Sequence, residues 1–212
     1  MTRAIVRGAL PLLAATLVAA GAAAQQTDPR LDRLDAATRP IVAVLIDSAR
    51  TALLPTEPLV QRALEGTTKR AAGDVIVAAV RRLAIDLGHA RAALGSTASP
   101  AELSAGAAAL RAGASQATLA DLRHARREPL IVPLAVLADL VASGVPVDSA
   151  AAAVLSLAGR ARDADLVEFR RAVERDIALG APPAAATAAA ATATAQSVDV
   201  NAGARPQRPG RP

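Results

Sequence analysis

Apolar residues recur at helical spacing in the centre of the chain. Six of them are separated by steps of four or three residues: Ile76, Val80, Leu83, Leu87, Ala90 and Leu94. Residues at this spacing share one face of an α-helix, and Arg81, Arg82 and Asp86 lie off that face. The pattern predicts an amphipathic helix, and Pro58 opens a shorter helix before it. A helical hairpin of this kind cannot bury its own apolar face, so it needs neighbours.

The outline of this hairpin returns twice along the chain. Pro100 and Pro129 open helices as Pro58 does, and Gly113 and Gly144 follow at the expected turns. Recurrence of one unit at intervals of 29 to 42 residues predicts an all-α fold of stacked helical hairpins. Two arrangements stay open, an α-solenoid-like array and a compact helical bundle, because the units share few side chains.

Local signals place several helix ends. Ser99 and Glu102 flank Pro100 in a capping box, and Ser115 is placed to cap the helix after Gly113. The last helix is predicted to begin at Asp163 and to stop at Gly180.

Nearer the N-terminus, an uninterrupted apolar run follows a predicted cap at Thr38. The run covers residues 41–46 and is apolar on every face of a helix. This pattern predicts a helix that is buried all round.

Composition divides the chain into three parts. Residues 1–24 have a basic start, a short apolar run and small residues up to Ala24, which predicts a signal peptide that is cleaved near Ala24. Residues 28–180 carry the helical patterns and form the predicted all-helical domain. Residues 181–212 are rich in alanine and proline without apolar periodicity, so they are predicted to be disordered or at most weakly helical.

Charge and composition exclude several classes of function. Residues 28–180 hold 19 basic and 18 acidic side chains, which argues against nucleic acid as a partner despite the net charge of +5 for the whole chain. The chain has no cysteine, so disulfides, thiolate metal sites and cysteine nucleophiles are ruled out. Phe169 is the single aromatic residue, so aromatic platforms for bases or sugars are missing.

The sequence offers no catalytic, cofactor-binding or metal-binding constellation. His89 and His124 lie off the apolar faces of their helices, and their spacing matches no zinc motif. Three carboxylates near the start of the last helix, at Asp163, Asp165 and Glu168, are better explained as capping and dipole interactions than as a cation site.

The densest basic run holds Arg123, Arg126 and Arg127. Positive charge at a helix end is most often a solvated partner of the helix dipole. As the functional alternative, these three residues are the candidate anion contact of the chain, through which it could reach phosphate or an acidic membrane surface.

These features predict a non-enzymatic protein exported from a bacterial cell, to the periplasm or beyond. We expect it to act by contact with an unidentified protein partner, as a scaffold, adaptor or assembly factor, and no small-molecule ligand is evident. Two alternatives remain: a binder of anionic lipid or polymer that uses the basic run and the arginine-bearing tail, and a hydrolase that uses two distant carboxylates. An exposed apolar groove would mark a contact surface.

Overall fold

The computed structural model describes residues 28–203 of the chain. Over that range the protein is all-helical, with a short 3₁₀ helix at Pro29–Arg33 followed by α-helices. The α-helices are α1 (Thr38–Thr51), α2 (Glu57–Thr68), α3 (Gly73–Leu94), α4 (Pro100–Ala112), α5 (Gln116–Ala125), α6 (Ile131–Ala142), α7 (Val147–Ala158), α8 (Asp163–Ala178) and α9 (Pro183–Gly203). The predicted all-α class is confirmed. The predicted signal peptide, 1–24, lies outside the described residues.

Four helix pairs, α2–α3, α4–α5, α6–α7 and α8–α9, are joined by turns of the same geometry. Each turn contains one residue with a positive φ, and the next helix begins three residues later; these residues are Arg70, Gly113, Gly144 and Gly180. The residue that follows donates its N–H to a carbonyl five positions back, as Ala114 does to Ala109 at 3.0 Å. This Schellman arrangement closes a helix and redirects the chain. In the first pair the left-handed residue is Arg70, with a φ of +54°.

Helices of successive pairs contact each other. Along one side α4 packs against α6 and α6 against α8, while along the other α3 packs against α5, α5 against α7 and α7 against α9. Helix α3 also packs against α4, which joins the first pair to the second. At the N-terminal end α1 packs mainly on α3 and covers part of its surface.

The core consists mainly of leucine, valine and alanine. All six residues of the predicted α3 stripe are buried, including Leu83 and Leu87. Phe169 in α8 is the largest fully buried side chain. Burying alanine removes little apolar area from water, so the stability of this core rests on many close helix contacts.

Helix α1 differs from its prediction in two ways. Ile41 is 47% exposed and Val44 is 65% exposed, so the apolar run is not buried all round. The reason is position, because within residues 28–203 the helix α1 packs mainly on α3, and no described helix covers the face that carries Ile41 and Val44. The cap also differs: the Asp35 carboxylate accepts the N–H groups of Ala37 (3.0 Å) and Thr38 (2.8 Å), and Thr38 already belongs to the helix.

The predicted disorder of residues 181–212 is not confirmed. Residues Pro183–Gly203 form α9, which packs against α7 and α8, and Ala186, Thr187 and Ala190 are buried there. Alanine has the highest helix propensity and its small side chain allows close approach, so α9 folds without a bulky stripe. Residues 204–212 lie outside the described part of the chain.

Candidate contact surface

Helices α1 and α3 lie side by side and run in the same direction. Their N-terminal ends meet, because a Cβ added to Gly73 would lie only 2.0 Å from the hydroxyl oxygen of Thr38. Their C-terminal ends also meet, because the Arg91 guanidinium donates a hydrogen bond to the carbonyl of Leu53, just after α1. Gly73 therefore sets the close approach at one end and Arg91 fixes the other.

A groove of about 610 Å³ opens along this helix pair, and we call it the α1–α3 groove. Its apolar lining includes Ile41 from α1 together with Val77 and Ala78 from α3. Asp74 and Arg81, both exposed, add one charge of each sign. An apolar floor with exposed charges beside it is the usual composition of a protein contact site.

The charges of the groove are separated along its length. Asp35 and Asp74 lie at the N-terminal ends of α1 and α3, and Arg81 lies two helical turns further along α3. The ion pairs of α1 and α3 within residues 28–203 use other arginines, such as Arg39 and Arg82, and leave Asp74 and Arg81 unpaired. The groove thus has an acidic end and a basic end.

Asp35 has a structural role in this groove. Hydrogen bonds from the side chain and backbone of Thr38, and from the backbone of Ala37, hold the pKa of Asp35 below its ordinary value. The carboxylate is therefore ionised while it caps α1, as a helix N-terminus favours.

Further exposed apolar residues lie next to the groove. Ile85 follows Arg81 by one turn on α3 and is 47% exposed, and Val44 follows Ile41 by one turn on α1, where it borders a neighbouring depression on α1. Sequence analysis missed this surface. The available signal was Ile85, an apolar residue on the polar side of α3, but its meaning depends on which faces the neighbouring helices cover.

The structure assigns the predicted anion contact Arg123 to an internal ion pair. Arg123 pairs with Glu102, whose side chain is 9% exposed. The Glu102 carboxylate also accepts the N–H of Ser99 (2.9 Å), in the predicted capping box, and the N–H of Leu130 (3.0 Å) just before α6. Burial acts to raise the pKa of Glu102, but the hydrogen bonds from Ser99 and Leu130 and the charge of Arg123 outweigh it and lower the pKa.

Arg126 is buried, with its side chain 4% exposed. Its guanidinium donates to the carbonyl of Ala161 (2.8 Å) and to the Asp163 carboxylate (2.7 Å), and it pairs with Glu128 (2.8 Å). It therefore ties the end of α5 to the start of α8. Of the three predicted anion contacts only Arg127 is exposed without an ion pair in the described part of the chain, so Arg123 and Arg126 do not form the open basic cluster that the sequence indicated.

The remaining candidates from the sequence lie apart from one another. His89 and His124 are both exposed, on α3 and α5. Asp165 accepts the N–H of Arg162 at 2.9 Å, which is a capping interaction, and Glu168 pairs with Arg171 on the surface of α8. Within residues 28–203 no group of three or more metal-ligating side chains could hold a metal ion.

Among the helices described, none has both the length and the apolar character that crossing a bilayer requires. No protein-family model matches the chain, no curated protein is significantly similar to it, and no solved structure matches it. Functional inference for this protein therefore rests on the shape and chemistry of its surface.

Proposed function

We propose that the chain is an exported bacterial protein, cleaved near Ala24, that acts by protein–protein contact as a scaffold, adaptor or assembly factor. The α1–α3 groove is its contact surface. The observation that carries this proposal is the combination of an open apolar groove with exposed Ile41 and Val44 beside it. Apolar residues grouped in this way at a surface are characteristic of interaction sites.

The order of helix contacts supports a solenoid-like array over a compact bundle. Each pair from α4–α5 to α8–α9 contacts the next pair through equivalent helices, and the connecting turns share one geometry. Repeat arrays of this type stack neighbour on neighbour and expose long surfaces for partners. The groove lies beside α1 at the N-terminal end of the described array, where no other helix of residues 28–203 covers it.

The chemistry of the groove favours contact over acid–base catalysis. Asp35 and Asp74 are its two carboxylates, and Asp35 is engaged as the cap of α1 with a lowered pKa. A general acid near neutral pH needs a raised pKa, so this carboxylate has the wrong protonation state for that role. The exposed, open shape also fits a macromolecule better than a small ligand, which a protein normally encloses.

A photoreactive amino acid in place of Ile41 tests the proposal in producing cells. Irradiation of intact cells should give one discrete adduct, in which mass spectrometry identifies the attached protein. The same probe at Ala185, an exposed position on α9, is the matched control and should give none. A Val44→Asp substitution should abolish the adduct, because it places a carboxylate in the apolar contact. A protein that remains inside the cell, or an Ile41 probe that gives no adduct, would overturn the proposal.

A further inference from the structure

We propose that the partner at the α1–α3 groove is a second copy of this chain, bound through a two-fold axis perpendicular to α1 and α3. The inference rests on the proposed function, because it names the partner of the same surface. It predicts a homodimer in which α3 of one copy lies antiparallel to α3 of the other. Closed two-fold dimers are the commonest symmetric assemblies of soluble proteins.

The charges on α3 support this symmetry. Asp74 and Arg81 are seven residues apart, on one face and about 10.5 Å along the helix. The midpoint between them lies beside Ala78, which lines the groove. A two-fold axis at that level places Asp74 of each copy opposite Arg81 of the other. Two reciprocal ion pairs therefore form from side chains that have no ion-pair partner within residues 28–203 of their own copy.

The apolar residues of α1 match the same axis. Because Thr38 lies beside Gly73 and the two helices are parallel, Ile41 is level with Ile76, and an axis beside Ala78 crosses α1 between Val42 and Ala43. The axis then sets Ile41 of one copy near Val44 of the other. The most exposed apolar side chains of α1 become covered by each other.

The centre and the helix directions also suit this packing. Ala78 at the axis is small, so the two α3 helices can approach closely there. Parallel packing places the N-terminal ends of α1 and α3 side by side within one copy. An antiparallel second copy therefore sets the overlapping turns of the two α3 helices with opposed dipoles, which is favourable.

The first test is the molar mass of the purified chain, in the form that its host cell produces, measured by light scattering at several concentrations. We expect twice the monomer mass. Asp74→Arg alone and Arg81→Asp alone each create two like-charge contacts and should weaken dimerisation roughly 100-fold. Mixing the two variants restores both pairs, since the new Arg faces the new Asp, and should return the dimer mass. Asp121→Arg, at an exposed position on α5, is the control that leaves the dimer intact.

A second test does not depend on charge. The chain has no cysteine, so Ala78→Cys introduces a single thiol at the proposed axis. Mild oxidation should link the dimer covalently, because the two copies of residue 78 face each other. Asp121→Cys should remain unlinked at the same protein concentration. Circular dichroism of every variant verifies its helical content.

The outcomes separate this inference from the proposed function. A wild-type monomer at all concentrations, or a mixture of charge variants that stays monomeric while both retain their helices, overturns the homodimer. If the Ile41 probe then still captures a different protein in cells, the contact function stands and only the partner is wrong. A dimer that Ala78→Cys fails to link overturns the placement of the axis.

Discussion

Replacing Glu102 with glutamine tests how much one buried carboxylate contributes to joining α4, α5 and α6. One carboxylate oxygen pairs with Arg123 and accepts the N–H of Leu130, and the other accepts the N–H of Ser99. Glutamine keeps the shape of the side chain but turns one of these oxygens into an NH2 group. Whichever way the amide is oriented, a donor replaces an acceptor and faces another donor.

The geometry sets the size of the effect. Hydrogen bonds to a charged group contribute about 1.5–3 kcal/mol each, and a buried donor left without its partner costs a further about 1–3 kcal/mol. Because the exposed fraction of the Glu102 side chain is only 9%, water replaces the lost partner poorly. We expect the free energy of unfolding to fall by about 2–4 kcal/mol.

Urea unfolding followed by far-UV circular dichroism measures this loss. Glu168→Gln is the matched control, because Glu168 is 68% exposed and pairs only with Arg171 on the surface. Glu168→Gln should lower the free energy of unfolding by less than about 1 kcal/mol. If the two substitutions lowered stability equally, the reasoning about the Glu102 junction would be wrong.

The difference in the free energy of unfolding between the wild type and Glu102→Gln should also depend on pH. The pKa of Glu102 in the folded chain lies below its ordinary value of 4.5, because the hydrogen bonds and Arg123 outweigh burial. Its contribution to stability is therefore complete above about pH 4.5 and is lost as the pH falls through the folded pKa. The difference in stability between wild type and Glu102→Gln should shrink over that range and stay constant at higher pH.

Three further substitutions test other parts of the fold, each by urea unfolding. Arg126→Met should lower the free energy of unfolding by about 2–4 kcal/mol, because it removes a buried guanidinium from its carbonyl and carboxylate partners. Its control, Arg127→Met at an exposed position, should change that free energy by less than about 0.5 kcal/mol. Gly113→Ala should cost about 1–2 kcal/mol, because its φ is +111° and the new Cβ would lie 3.1 Å from a methyl group of α7. Ala186→Asp should destabilise the chain by about 2 kcal/mol or more and Ala185→Asp by less than about 1 kcal/mol, since of these two α9 residues only Ala186 is buried. Equal effects within either matched pair, or a neutral Gly113→Ala, would contradict these assignments.

The features that the sequence predicted correctly are local ones. The α3 stripe is buried as its spacing indicated, because a 3.6-residue period fixes which side chains share a face. The capping box of Ser99 and Glu102 forms as predicted, and Ser115 accepts the N–H of Thr118 at 3.0 Å. Each of these features depends on residues within one or two helical turns.

The features that the sequence did not predict depend on distant contacts. Arg126 finds Asp163 across 37 residues, so its burial could not be inferred from the basic run around it. The exposure of Ile41 follows from the absence of a covering helix on α1 within the described range, and periodicity cannot report that absence. Helix α9 packs on α7 and α8 through Ala186, Thr187 and Ala190, and such small side chains leave no apolar stripe in the sequence that could have indicated this contact.

The shared turn has a consequence for how the length of such a chain can change. Its hydrogen bonds join backbone groups, so its main local demand is one residue that tolerates a left-handed conformation, followed at Ala114 and Val145 by a buried apolar residue. The hydrogen-bond pattern of the turn is thus the same whatever side chains the two helices carry. Duplication or loss of a whole two-helix unit would leave the turns inside the other units unchanged. Chains of this design can therefore change length in evolution by gaining or losing whole helix pairs.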